Sequence, residues 1–320
     1  PVTAACGGCS PEAVGDGTTS TSLRSPARGT AVMPPVDGRR HVVPSTSPHA
    51  SLTTETHRLP DDRTLAYAVA GDPTGAPVLV HHGTPGSRLF AALLADTAHA
   101  VGARLVVPDR PGYGQSSPPP TGWDWADWRA DCTALLDAES LDTVSTLGFS
   151  GGGPFALAAA RSDRVTRVGL VGTVVPPFEG GLATLARVPF ALRVVFGVSA
   201  VLAAVAGPDL VVGQYTDRDV TDGVAEAVGV EFDEALRQGA RAPARENRLF
   251  ATNRVASLPD VSLRAWHGTR DENAPLEPVA EAVRAVDGTL RTLPADHLGT
   301  LLDCRVDALR WLVGDEHADE

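Results

Sequence analysis

Apolar runs of strand length alternate along this chain with stretches whose apolar residues fall at helical spacing, and that alternation leaves few folds open. Val78-Leu79-Val80, Leu105-Val106-Val107, Val144 to Phe149 and Val165 to Val171 read as strands, and the tightest of these runs have the unbroken apolar character of a strand covered on both faces. Between them lie helical spacings: Leu89, Leu93, Leu94 and Val101, then Trp128, Cys132, Leu135 and Leu136, then Pro154 to Ala160. After a long interruption the series resumes with strand Val261 to Trp266, a helix over 276–286, strand Leu290 to Leu293 and a helix over 298–313. Strands joined through helices run parallel, with helices on both faces of the sheet. The fold class expected is α/β with a mostly parallel central sheet. Ahead of it, Leu52 to Arg58 and Arg63 to Ala70 alternate around Pro60-Asp61-Asp62 and predict an antiparallel hairpin.

Composition divides the rest. Residues 1–50 are dense in Ser, Thr, Pro, Gly and Ala, without helical or strand period, and read as a disordered arm. That arm holds four arginines against three acids, so the chain's net charge of −12 is carried entirely by residues 51–320. It has no apolar stretch behind a basic start, so it does not read as a signal peptide and a cytoplasmic location is expected, although a processed secreted form would look the same. Cys6 and Cys9 form a CxxC, but no second Cys/His pair stands at zinc-site spacing, so no metal is expected; Cys132 and Cys304 read as small buried residues. All 27 basic residues are arginine. A chain without lysine excludes Schiff-base and pyridoxal-phosphate chemistry, the Walker phosphate loop and protein kinase activity. Its acidic balance argues against nucleic acid as a partner.

The chemistry points to one junction. Gly148-Phe149-Ser150-Gly151-Gly152 fits GxSxG where a strand gives way to a helix. A tight turn there lifts a serine hydroxyl from the sheet edge, and the flanking glycines let backbone and helix approach closely. In that context the chain resembles the α/β-hydrolase superfamily, specifically the lid-bearing serine hydrolases of the esterase and proline-iminopeptidase-like kind, over about residues 52–314. His82-Gly83-Thr84-Pro85-Gly86 matches that group's HGxPG, which implies that the backbone amides of Thr84 and Gly151 form an oxyanion hole. Asp109-Arg110-Pro111-Gly112-Tyr113-Gly114-Gln115-Ser116 matches its DxxGxGxS, a shaping loop to which no catalytic role is assigned.

The resemblance places a catalytic histidine after the last strand, usually behind a glycine; here it is His297, behind Asp296. His267-Gly268-Thr269-Arg270-Asp271 and Pro275 resemble HGxxDxxxP, so Asp271 is the expected third member, with Glu272 as the alternative. The order Ser150, Asp271, His297 is that of α/β-hydrolases. His82 and His267 are expected to be structural. The implied domain plan is a core over 51–175 and 259–314, an inserted helical lid over 176–258 and a tail over 315–320.

Val188 to Ala206 carries only Arg193 as a charge, yet Pro189 and Arg193 leave a run shorter than the ~20 clean apolar residues of a membrane span. Stable membrane insertion is therefore not expected, and an apolar roof over a pocket is. Trp123, Trp125 and Trp128 are expected in the core or at the pocket rim. The function expected is hydrolysis of a carboxylic ester, or a related acyl bond, of a small and largely apolar substrate, with no cofactor. An aminopeptidase, amidase or C–C bond hydrolase of the same fold stays open, as does a ligand-binding protein without turnover. Branches with an Asp nucleophile are disfavoured by Ser150, and Gly151 stands where iminopeptidases commonly have Trp and cofactor-free haloperoxidases Met.

Overall fold

The computed structural model describes residues 41–43, 52–177, 188–254 and 260–315. The expected CxxC, all of the arm except His41–Val43, and residues 316–320 of the tail lie outside these. Among the described residues nine strands form one sheet in the order β1-β2-β3-β5-β4-β6-β7-β8-β9. Three antiparallel strands, β1 (His41–Val43), β2 (Leu52–Arg58) and β3 (Thr64–Gly71), make one side, and β2 with β3 is the predicted hairpin. The short strand His41–Val43 falls within the stretch read as an arm and pairs with Leu52–Thr54, a partner that local composition does not reveal. The parallel set is β4 (Ala76–His81), β5 (Ala103–Pro108), β6 (Val144–Phe149), β7 (Val165–Val171), β8 (Ser262–Gly268) and β9 (Thr289–Leu293).

Strand pleating splits the core into two apolar layers. Val78, Val80, Leu105 and Val107 point into one, where they meet α1 (Ala95–Ala100) and α9 (His297–Val313). Leu79 and Val106 point into the other, against α2 (Trp125–Ala138), α3 (Gly153–Ala159) and α8 (Leu276–Arg284). All six strand side chains are 0% exposed, as continuous apolar runs require. Trp123 and Trp128 sit in the second layer with Phe155, whose ring Trp128 meets edge-on at 5.8 Å; Trp125 packs partly buried against the same layer. Cys132 and Cys304 are free and buried.

One expected element breaks in two. The spacing through Leu89, Leu93 and Val101 predicts a single helix, but a 3-10 turn over Arg88–Leu93 precedes the short α1. Arg88 is the cause: its backbone amide and its guanidinium both donate to the buried Asp109 carboxylate, at 2.6 and 2.7 Å, and Ser87 caps the turn. Anchoring both ends of one residue to the same carboxylate fixes a tight geometry that a regular helix does not supply.

Between β7 and β8 the described chain forms α4 (Pro189–Ala206), α5 (Pro208–Val212), α6 (Asp222–Ala235) and α7 (Arg241–Thr252). Phe190, Val194, Val198 and Val201 recur every three or four residues on α4, on an exposed face. Among the described residues no helix is long and apolar enough to cross a membrane.

Candidate active site

Strand order places the site. β4 lies between β5 and β6, so the chain leaves β4 to one side and returns on the other, opening a crevice at the carboxyl ends of β4 and β6. Ser150 stands at the end of β6 with φ +53, a left-handed conformation uncommon for a residue with a side chain. Such strain costs about 1–3 kcal/mol and is held by its surroundings. Here the carbonyl of Ser150 accepts from the Val174 amide and the Thr173 hydroxyl, each at 3.1 Å. At Gly152 any side chain would collide with the carbonyl oxygen of His81, so the turn after Ser150 packs directly on the end of β4.

His297 opens α9 and is 1% exposed. Its Nδ1 lies 2.7 Å from Asp271 Oδ2, and the other carboxylate oxygen accepts the amides of Asn273 and Ala274 at 2.9 and 3.0 Å. A carboxylate fixed on both oxygens selects the tautomer with the proton on Nδ1 and leaves Nε2 as the basic atom. The Asp271 side chain is buried against His297, while Glu272 is exposed. Gly172, at φ +49 at the end of β7, passes close to both partners: a methyl there would sit 3.2 Å from Asp271 Oδ2 and 3.3 Å from His297 Nδ1.

Asp296 occupies the place where the resembled family usually has glycine, and it has a local task. Its Oδ1 accepts from the Gly299 amide at 2.8 Å, capping α9, and its Oδ2 accepts from the Thr216 hydroxyl at 2.7 Å, tying the helical insertion to the histidine loop. Helix-capping preference alone could have identified it. His82 and His267 are both fully buried. His82 Nδ1 lies 2.9 Å from the Gly83 carbonyl and His267 Nε2 2.9 Å from that of Ala274, and burial holds both imidazoles below their ordinary range.

Thr84 and Gly151 come together: a methyl on Gly151 would fall 2.7 Å from Thr84 Cβ. Beneath Thr84 lies an arrangement that sequence reasoning missed. Arg110, 0% exposed, donates to the carbonyls of His82 and Gly83 at 2.5 and 2.8 Å and to the Thr84 hydroxyl at 2.9 Å. Its charge is met by Glu246 of α7, equally buried, at 2.7 and 2.8 Å. The same carboxylate accepts from the hydroxyls of Thr84, at 2.7 Å, and Tyr113, at 2.8 Å. Arg110 is thus the residue through which the shaping loop carries the Gly83-Thr84 turn. Replacing Glu246 by Ala would strand a buried guanidinium, and the expected loss is about 3–5 kcal/mol of stability, read as a lower urea midpoint; an unchanged midpoint would show that the pair contributes nothing.

Ser150, His297, Gly83 and Thr84 line one small cavity, about 40 Å3 in volume, which Tyr215, Val228 and Glu231 of the insertion close from the other side. Among the described residues no group of three or more His, Cys, Asp and Glu is placed to hold a metal ion.

The sequence pattern of the alpha/beta hydrolase fold matches residues 76–192. The chain is 36% identical over 121 residues to a non-heme chloroperoxidase of Streptomyces lividans, covering 36% of this chain and 43% of that protein. It is 40% identical over 103 residues to a proline iminopeptidase of Levilactobacillus brevis, covering 31% and 34%. The chain thus spans less than half the length of these curated relatives. Among solved structures, a hydrolase from Pseudomonas aeruginosa PA01 superposes with TM-score 0.66 at 18% identity, over 82% of this chain and 98% of that one. An esterase from Exiguobacterium antarcticum superposes with TM-score 0.63 at 19% identity, over 83% and 99%.

Proposed function

We propose, since this chain belongs to the α/β-hydrolase superfamily, that it is a serine hydrolase cleaving small carboxylic esters through Ser150, His297 and Asp271. The observation that carries the reading is the 2.7 Å contact of His297 Nδ1 with Asp271, made by an imidazole that shares a cavity with a serine held at φ +53. His297 Nε2 takes the proton of Ser150 Oγ as that oxygen attacks the ester carbonyl. Asp271 holds the imidazolium that results. The amides of Thr84 and Gly151 meet the negative charge on the tetrahedral oxygen, each worth about 3 to 4 kcal/mol in the transition state. Collapse breaks the bond to the alcohol, which leaves with the proton from His297. Water then repeats the sequence on the acyl-enzyme: it gives a proton to His297, adds to the carbonyl and releases the acid, and Ser150 recovers its proton.

In this reading α4 to α7 act as the lid, and the narrow space beneath them sets acyl size. A cavity of about 40 Å3 is small beside the ~300–1,000 Å3 of ligand pockets in general, so short acyl chains are preferred. Along p-nitrophenyl acetate, butanoate, hexanoate and octanoate, kcat/KM is expected to peak at the first two and to fall roughly tenfold or more by octanoate. A maximum at octanoate would remove the size argument. The reading as a whole is tested by a fluorophosphonate probe, which bonds only to an activated serine: one equivalent at Ser150 is expected, and its absence points to a ligand-binding protein.

A further inference from the structure

One wall of the cavity beside Ser150 differs from the rest. Phe90, Leu93, Phe149, Val228 and Leu298 are apolar, and among them stands the carboxyl of Glu231, from α6. It is 9% exposed. Its Oε1 accepts from the Ser87 amide at 2.8 Å, and its backbone carbonyl accepts from the Ser87 hydroxyl at 3.0 Å, so the residue is gripped at both ends. The carboxyl also packs flush on Gly86, where a methyl would fall 2.7 Å from Oε1.

The Arg110 guanidinium, which attracts the Glu231 carboxylate, and that of Arg88, next to Ser87, are committed elsewhere. Arg110 is bound to Glu246 and the loop carbonyls, and Arg88 to Asp109 and Glu234. Burial therefore dominates, helped by the charge of Asp109, and raises the Glu231 carboxyl to about 8 against the pull of the Ser87 amide and of Arg110. The Ser87 N–H fills one lone pair on Oε1, so the acid proton belongs on Oε2, the oxygen with no partner among the described residues. The cavity thus holds, besides the Tyr215 phenol, a hydrogen-bond donor that the serine chemistry above does not use.

We propose that Glu231 is a substrate-recognition residue whose carboxyl Oε2–H donates a hydrogen bond to an oxygen carried by the acyl group, so that short alkoxy, oxo or hydroxy acids are preferred over alkanoic acids of equal length. The proposal rests on the serine-hydrolase reading and adds the acyl class to it. A matched pair tests it, p-nitrophenyl methoxyacetate against p-nitrophenyl butanoate, whose acyl groups differ by an ether oxygen in place of a methylene. The quantity read is the ratio of their kcat/KM values, compared between variants so that intrinsic ester reactivity cancels.

The ratio is expected to fall about tenfold in Glu231→Leu, the size of one lost hydrogen bond in a closed site. In Glu231→Gln, whose amide keeps a donor for the substrate and an acceptor for Ser87, it is expected to stay within about twofold. Between pH 6.5 and 9.5 it should fall in the wild-type protein, as the donor becomes a carboxylate, and hold in Glu231→Gln. The other titratable and charged groups facing the carboxyl leave this contrast intact. Asp109, Arg88 and Arg110 are paired, the Tyr215 phenol is pushed up by burial and by Glu231 itself, and His297 scales both esters alike. If Glu231→Leu does not fold, the pH comparison with Glu231→Gln decides alone. A ratio indifferent to both variants and to pH overturns the proposal while leaving ester hydrolysis standing. Failure of the fluorophosphonate to label Ser150 overturns both.

Discussion

Ser150→Ala is expected to lower kcat on p-nitrophenyl acetate by about 10^6-fold, with the circular dichroism spectrum unchanged. The size reflects the number of steps that pass through one oxygen: it attacks, carries the acyl group and is regenerated, and no neighbour in the cavity replaces it. Backbone geometry adds a second observable. The φ of +53 at this position is strained for alanine as it is for serine, whereas glycine adopts it freely. Ser150→Gly should therefore be equally inactive yet more stable than Ser150→Ala, by about 0.5–1 kcal/mol in a urea titration. Retained turnover in either variant sinks the proposed mechanism. Equal stability of the two would mean that the turn is unstrained and that its shape comes from other contacts.

Asp271→Asn should cost about 10^4-fold in kcat. An asparagine fits the same space, but its side-chain nitrogen cannot accept the Nδ1 proton, and the ring is then free to present that proton to Ser150 instead of a lone pair. The carboxylate is also the acceptor for the amides of Asn273 and Ala274, and the asparagine carbonyl can take these over, so the fold should survive. Glu272→Gln is the companion measurement: that side chain is exposed, and its kcat should stay within about twofold of the wild type. Were Glu272→Gln the damaging change, the two acids would have to exchange roles.

The sheet was legible because its central strands are covered on both faces, which forces runs such as Leu105-Val106-Val107 to be apolar without interruption. Ser150, His297 and Asp271 were legible because each follows a strand within a recognisable loop. What escaped depends on pairing across the chain. Arg110 and Glu246 are separated by 136 positions, and nothing local to either says that both are fully buried. Glu231 lies on a helix whose other acids are mostly exposed, and only the docking of α6 on the Ser87 turn shows that this one faces inward. The break before α1 escaped for the same reason, since Arg88 bonds to Asp109, 21 positions later and beyond the next strand.

The clamp beneath the Gly83-Thr84 turn bears on how this protein should respond to alkali. Two carbonyls of that turn are held by a guanidinium, and an arginine does not lose its proton at any pH a folded protein survives. A lysine in the same place, desolvated as deeply, would discharge within the working range and release the turn. In a chain that has no lysine at all, the alkaline limb of the activity profile is therefore expected to report the chemistry of the cavity and not a loosening of its frame.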